Sequence, residues 1–358
     1  REKEYVLDCL NNSEIGSFGI YTNKFETEFS KFINREYSSF CSSGSAAIEL
    51  VAMALNFNSG DEVIFPAFTI ISCIQPFIRR GVKPVLADCN SSTYNIEASA
   101  LEQLITSKTK AIFIAHIYGL TCEMDEIEKL AEKYNLLIIE DAAESIGQNY
   151  KDRICGSFGL ISIFSFYANK HVTCGEGGMV STNNKSLIDK INYYKNLCFG
   201  KDRFIHEEMG YNYRATNIQA AIGLAQLEKI DETIKMKKHI GNHYQNCLEG
   251  FSETIRLPIK KTSYCENIYW VFPIQIKSLK SKAPNIRKKL LNDFKIDIRP
   301  FFFPLNKQPV FKRLGLFKNI QMPISEKLYE NGFYLPSGLN LKDDQIEYIS
   351  DSLLKCIE

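Results

Sequence analysis

Along this chain, short dense runs of apolar residues alternate with longer segments in which apolar positions recur every third or fourth residue. "GSAAIELVAMALNF" (44–57) reads as a helix with apolar residues on nearly every side, the pattern of one buried all round. "DEVIFPAF" predicts a strand stopped at Pro66, since proline has no N–H for the ladder. "KPVLADC", "TKAIFIAHIYG", "LLIIED", "LISIFSFY" and "GGMVSTN" predict further strands, and "MDEIEKLAEKYN" predicts an amphipathic helix among them. Strands alternating with helices indicate an α/β fold, a mostly parallel sheet covered on both faces. A long helical stretch from Asn217 to Gly250 follows, with Gly223 as the expected place for a bend or break. Beyond it, "YWVFPIQI", "RKKLLNDFKIDIRPFFFP" and the closing helix "LKDDQIEYISDSLLKCI" predict a smaller α/β domain. The expected division is a large domain over residues 1–245 and a small one over 246–358.

At 358 residues the chain is long enough for two cores. Hydrophobic residues at 45% and charged residues at 24% are ordinary for a globular protein, and a net charge of +1 offers no field for nucleic acid or an anionic membrane. The longest apolar runs fall far short of a membrane span, and no leader-like stretch follows the N-terminus. The 11 cysteines are odd in number, scattered singly, and never spaced C-x-x-C. That argues against a zinc site or a disulfide framework and for a reducing, cytoplasmic location. His239 and His243 form the one i, i+4 histidine pair; on a lysine-rich helical face they are expected to be solvated, and no metal is expected.

Open parallel sheets bind ligands beyond the carboxyl ends of their strands. No G-x-G-x-x-G follows a strand and no G-x-x-x-x-G-K-[ST] is present, which argues against a Rossmann dinucleotide site and a P-loop. The strand ends do offer a lysine and an acid. Lys170 follows "IFSFYAN" and precedes Gly175, Gly177 and Gly178; Asp141 ends "LLIIED". Taken singly, the first reads as a solvated loop lysine and the second as an N-cap for a helix in "DAAES". Pyridoxal phosphate (PLP) asks for both at once: a lysine to hold it, an acid on its pyridine nitrogen, a phosphate cup and a ring platform. Gly44 and Ser45 open a helix whose free N–H groups and dipole favour phosphate. Ser165, five residues before Lys170, can add a hydroxyl to the same cup.

"SSGSAAIEL", "GDEVIFPAFT", "FIAHIYGLTCEMDEI", "IIEDAAESIG", "GSFGLISIFSFYANKHVTCGEGGMV", "GYNYRATNIQAAIGLAQLE" and "RPFFFPLNKQPVF" together carry a resemblance across nearly the whole chain, from about residue 15 onward. The sequence resembles the sugar aminotransferases of the DegT/DnrJ/EryC1/StrS family. This implies the aspartate-aminotransferase fold (PLP fold type I) and PLP-dependent transamination. "EDAAE" and "FYANK" are most similar to perosamine-type members, which act on nucleotide-linked 4-keto-6-deoxysugars. The substrates implied are a nucleotide-diphospho-4-keto-6-deoxy sugar and glutamate, with a GDP-linked sugar favoured over UDP or dTDP.

The resemblance implies Lys170 as Schiff-base lysine and proton carrier, and Asp141 on the pyridine nitrogen. Ser165, Gly44 and Ser45 would hold the phosphate, and Glu144 would lie near the phenolic oxygen. Asn212 would reach the cofactor phosphate of the neighbouring subunit, in a homodimer with shared active sites. Arg299 and the aromatic run 301–303 are candidates for the substrate's diphosphate side, though the aromatics suit a plain core as well. Two positions depart from the family. Ile70 stands where many relatives place an aromatic ring against the cofactor, and Asn306 stands where relatives usually carry a histidine that positions substrate. Family dehydratases carry histidine at the lysine position, whereas here Lys170 is retained and His171 only follows it. A non-catalytic protein that kept the fold would be free to lose Lys170, Asp141 and Ser165.

Overall fold

In the computed structural model, which describes residues 1–202, 204–277 and 282–357, the expected strands, joined by others that the sequence pattern did not predict, gather into two sheets. Tyr37–Cys41 (β1), Glu62–Pro66 (β2), Lys83–Ala87 (β3), Thr109–Ala115 (β4) and Leu137–Asp141 (β5) come first. A small hairpin, Asn149–Tyr150 (β6) and Arg153–Ile154 (β7), precedes Ile161–Ser165 (β8) and Gly178–Thr182 (β9). The large sheet has seven strands in the order β1-β9-β8-β5-β4-β2-β3. From β8 to β3 every neighbour is parallel, and β9 alone runs against its neighbours β8 and β1. The carboxyl ends of β2, β4, β5 and β8 therefore share one edge, where Pro66, Ala115, Asp141 and Ser165 lie.

Side-chain alternation divides these strands between two layers. Val63, Phe65, Phe113 and Ile139 pack with the helix Gly44–Leu55 on one face. Ile64, Ile112, Ile114 and Ile138 pack with Met124, Ile127 and Leu130 of the helix Met124–Tyr134 on the other. Each such side chain, taken fully out of water, contributes about 1.5–3 kcal/mol. The smaller sheet is antiparallel: Ile255–Arg256 (β10), Phe272–Ile276 (β11), Arg299–Pro300 (β12) and Gly332–Leu335 (β13), in the order β10-β11-β13-β12.

The long helical stretch does break, but not at Gly223. One helix spans Asn217–Leu227 and the next Ile230–Leu248, with Glu228 and Lys229 between them. A Cβ on Gly223 would come within 2.6 Å of Cys174 Sγ and 2.7 Å of the Phe25 ring, so this glycine serves close packing rather than a bend. The residue 245/246 division falls inside the second helix, whose Ile240, Tyr244 and Leu248 join the core of the small sheet. His239 and His243 each meet an acid of the closing helix Asp343–Ile357: Nε2 lies 2.7 Å from Asp343 Oδ1 and 3.3 Å from Glu347 Oε1, respectively. Among the described residues no helix is long and apolar enough to cross a membrane.

Candidate active site

A cavity of about 440 Å³ opens at the shared strand edge. Gly44, Ser45, Ile70, Asp141, Glu144, Ser165, Lys170 and Arg299 all line it, although they come from segments up to 255 residues apart (299 − 44). The floor begins at the helix Gly44–Leu55. Ser43 caps that helix, its Oγ accepting from Ala46 N–H at 3.1 Å and its carbonyl from Ala47 N–H at 3.0 Å. Gly44 and Ser45 precede those satisfied donors, so their N–H groups stand at the positive end of the dipole. Space here is tight. A Cβ on Gly44 would lie 2.8 Å from Ser165 Cβ, and one on Gly178 would lie 2.3 Å from Ser43 O. Glycine at both places lets the helix end, β8 and β9 close into one cradle.

Lys170 follows β8 by a turn in which its N–H donates to Tyr167 O at 2.9 Å. Its Nζ lies 3.8 Å from the Trp270 ring centroid and 3.8 Å from Glu144 Oε1. Trp270 is itself fixed, its Nε1–H donating to Asn169 O at 2.9 Å. Glu144 Oε2 accepts from Tyr118 N–H at 3.0 Å, the donor that holds this carboxylate in place. Asp141 is not a helix N-cap, because "DAAES" forms turns and no helix starts there. Its Oδ1 accepts from Ala143 N–H at 3.0 Å and its Oδ2 from the Cys73 thiol at 3.3 Å.

Burial governs the charges. It lowers the Lys170 pKa against the opposing pull of Glu144 and Asp141, so the neutral amine is easier to reach than in water. It raises Asp141, and it pushes Glu144 up to about 7. Burial also pulls His171 down to about 3, so this neighbour of Lys170 is a neutral imidazole. His116, which lines the cavity too, accepts from Cys122 N–H at Nδ1 (3.0 Å), so its proton sits on Nε2, 3.0 Å from Glu140 Oε1. Cys155 completes a buried trio with these two. Glu140 is already taken up by Gly156 N–H at 2.6 Å, Phe158 N–H at 2.9 Å and Ser162 Oγ at 3.1 Å, which makes the trio a hydrogen-bond network.

The donor set fits PLP. A single amine, a buried acid with one oxygen held only by a weak thiol donor, and a glycine cradle at a helix N-terminus occupy one cavity. Two candidates lie elsewhere. Asn306 is buried away from the cavity, its Nδ2 donating to Ile320 O at 3.0 Å and Glu326 Oε1 at 2.8 Å. Asn212 is exposed, bridged to Asn196, and is not among the residues lining its own chain's cavity. Of the aromatic run, Phe302 lines the cavity and Phe301 is buried in the core. Sequence reasoning missed Thr69, His116, Trp270 and Tyr334, which also line it. The one signal available was that Trp270 is the chain's single tryptophan. A second cavity of about 530 Å³ adjoins the first, sharing Lys170, Trp270, Arg299 and Tyr334 with it.

Comparison with known proteins gives the family and the fold. The DegT/DnrJ/EryC1/StrS aminotransferase family matches residues 1–354. The GDP-perosamine synthase of Escherichia coli O157:H7 is 38% identical over 354 residues, covering 99% of this chain and 94% of that one. The GDP-perosamine synthase of Vibrio cholerae is 34% identical over 354 residues, covering 98% and 95%. Among solved structures, an aminotransferase from Psychrobacter cryohalolentis superposes with a TM-score of 0.90 at 26% identity, over 98% of this chain and 95% of that one. A Streptococcus pneumoniae protein solved in its PLP form gives 0.91 at 25%, over 99% and 95%. A lysine, an acid and a phosphate-ready helix end brought to one sheet edge, and a match that runs through all of them, have one explanation: this chain belongs to the DegT/DnrJ/EryC1/StrS aminotransferase family.

Proposed function

We propose that this chain forms a GDP-linked 4-amino-4,6-dideoxyhexose of the perosamine kind from the corresponding 4-keto sugar, with glutamate as amino donor. It is a PLP-dependent nucleotide-sugar aminotransferase, and its likeness to relatives named GDP-perosamine synthase supports the choice of sugar. The observation that carries the reading is the setting of Lys170. It is one largely buried amine just past a strand end, flanked by Glu144 and sharing its cavity with the acid Asp141.

When bound, PLP supplies the electron sink through which an amino group leaves an amino acid and enters a ketone. Lys170 would anchor it, and the neutral amine at Nζ would take a proton from the substrate carbon and return one. Asp141 would keep the ring nitrogen protonated through Oδ2, while Ala143 N–H fixes the other oxygen. Gly44, Ser45 and Ser165 would hold the phosphate, and Glu144 would stand near the phenolic oxygen. Ile70 would cover the ring by dispersion contact without stacking. Arg299, at the junction of the two cavities, would take the diphosphate of the sugar nucleotide.

The functional unit is a homodimer in which Asn212 serves the partner's cavity. Ile70 at the cavity is 50% exposed, and Met209 and Tyr211 beside Asn212 are 92% and 39% exposed, apolar surface that a second copy would cover.

The test presents the PLP-loaded protein and glutamate with GDP-, UDP- and dTDP-linked 4-keto-6-deoxy sugars and a 3-keto isomer. Products are followed by mass spectrometry, and the highest kcat/KM is expected on the GDP-linked 4-keto sugar. Preference for the 3-keto isomer would overturn the position of amination; preference for another nucleotide would remove only the GDP assignment. Lys170→Ala should abolish turnover and the yellow, borohydride-sensitive absorbance together.

A further inference from the structure

The turn after β4 has a backbone that a bulky residue adopts only under constraint. Tyr118 has φ 57°, in the left-handed region that penalises a large side chain. Its surroundings supply the constraint. The buried ring stacks on Phe302, with centroids 5.5 Å apart and planes at 22°, and on Trp270 at 6.0 Å and 27°. Gly119 follows with φ 97°, and a Cβ there would lie 2.9 Å from the backbone N of both Tyr269 and Trp270. The Gly119 carbonyl accepts from Gln148 Nε2 at 2.6 Å. The turn is thus pressed against the segment that leads into β11.

The result of this constraint is one donor aimed at the reactive pair. Tyr118 N–H meets Glu144 Oε2 at 3.0 Å, and Oε1 is left 3.8 Å from Lys170 Nζ. A backbone N–H favours the charged carboxylate, and a charged carboxylate favours the neighbouring ammonium. We propose that Tyr118 is a positioning residue of the Lys170–Glu144 pair: its turn, braced by the aromatic stack, aims the N–H that favours the charged form of Glu144 against burial and so bears on how readily Lys170 releases its proton. The proposal deepens the function assigned above and rests on it for its catalytic meaning. The other titratable or charged groups near the pair are Asp141 and the Cys73 thiol, His171, Tyr334 with Arg299 beside it, and the Tyr118 phenol, which burial and Glu144 raise well above its ordinary range. All but the phenol stay unchanged in the variants below, and the phenol, absent from Tyr118→Gly, is kept in Phe302→Leu.

Competitive acylation of cofactor-free protein across pH, read by peptide mass spectrometry, reports the neutral fraction of Lys170 without turnover. Tyr118→Gly keeps the N–H but removes the brace, so Glu144 holds its proton more tightly and the Lys170 midpoint falls by about 0.5–1 pH unit. Phe302→Leu removes one stacked ring and leaves the turn's own residues alone. It should move the midpoint the same way by less, and it decides the matter if Tyr118→Gly does not fold. Glu144→Gln lowers the midpoint at least as far, and adding Tyr118→Gly to it produces no further shift, because both act on one interaction. Equal shifts from Tyr118→Gly with and without Glu144→Gln would overturn the proposal, as would an unmoved midpoint in Tyr118→Gly or, failing that, in Phe302→Leu. Neither PLP nor sugar is present, so a failed substrate assignment would leave this result untouched.

Discussion

Lys170 Nζ stands 3.8 Å from the centroid of the Trp270 ring, which makes the chain's single tryptophan a direct neighbour of that amine. The ring face attracts the ammonium form by about 0.5–2 kcal/mol. Trp270→Ala should therefore change kcat/KM by roughly 2- to 30-fold, and Trp270→Phe, which keeps a weaker face, by less. Addition of PLP should quench the wild-type tryptophan fluorescence. Unquenched emission from a protein with bound cofactor would separate Trp270 from the cofactor site.

Asp141→Asn tests the acid. The amide can still accept from Ala143 N–H, so the turn should survive, but it cannot keep a pyridine nitrogen protonated. A loss of roughly 10²–10⁴ in kcat is expected, with thermal stability little altered. Near-normal rates would reduce Asp141 to a turn-forming residue.

Glu144 titrates at about 7 against an ordinary 4.5, because burial disfavours its charge more than Lys170 and Tyr118 N–H favour it. The folded state therefore binds this proton more tightly than the unfolded state. The stability it contributes is fully present below 4.5 and is lost as the pH rises through 7. Between about pH 5 and pH 8 the Tm of cofactor-free wild type should fall by more than that of Glu144→Gln. Parallel declines would mean that Glu144 is already charged at the lower pH.

Shared sites predict complementation. Mixing Asn212→Ala with Lys170→Ala should restore activity, since one site of the mixed dimer receives both unaltered groups. No recovery after confirmed subunit exchange would confine Asn212 to its own chain or remove it from the chemistry.

Asn306→Ala should behave as a stability variant. It deletes the donor to Ile320 O and Glu326 Oε1 at a buried position, at a cost of about 1–3 kcal/mol. The Tm should drop while KM for the sugar nucleotide holds. A raised KM with unchanged Tm would return Asn306 to the substrate site.

Whatever depends on local pattern was legible in the sequence. Short dense apolar runs marked β2, β4, β5 and β8, because a strand buried on both faces has few polar choices. Lys170, Asp141, Ser165 and the Gly44–Ser45 helix start could then be read off the ends of those elements, since a parallel sheet brings its strand termini to one edge. Contacts between distant segments were not legible. The residues beneath and beside Lys170 arrive from afar: Trp270 lies 100 residues along the chain, and Tyr118 is held by rings at 270 and 302. Gly223 serves Phe25 and Cys174, which need the space a Cβ would take, and the helix breaks instead at Glu228–Lys229. Asn306 sits in a segment that resembles a substrate loop, yet its side chain turns to the Ile320 carbonyl and to Glu326. A side chain's direction is decided by where its hydrogen bonds and packing are satisfied, and those partners exist only once the chain has folded.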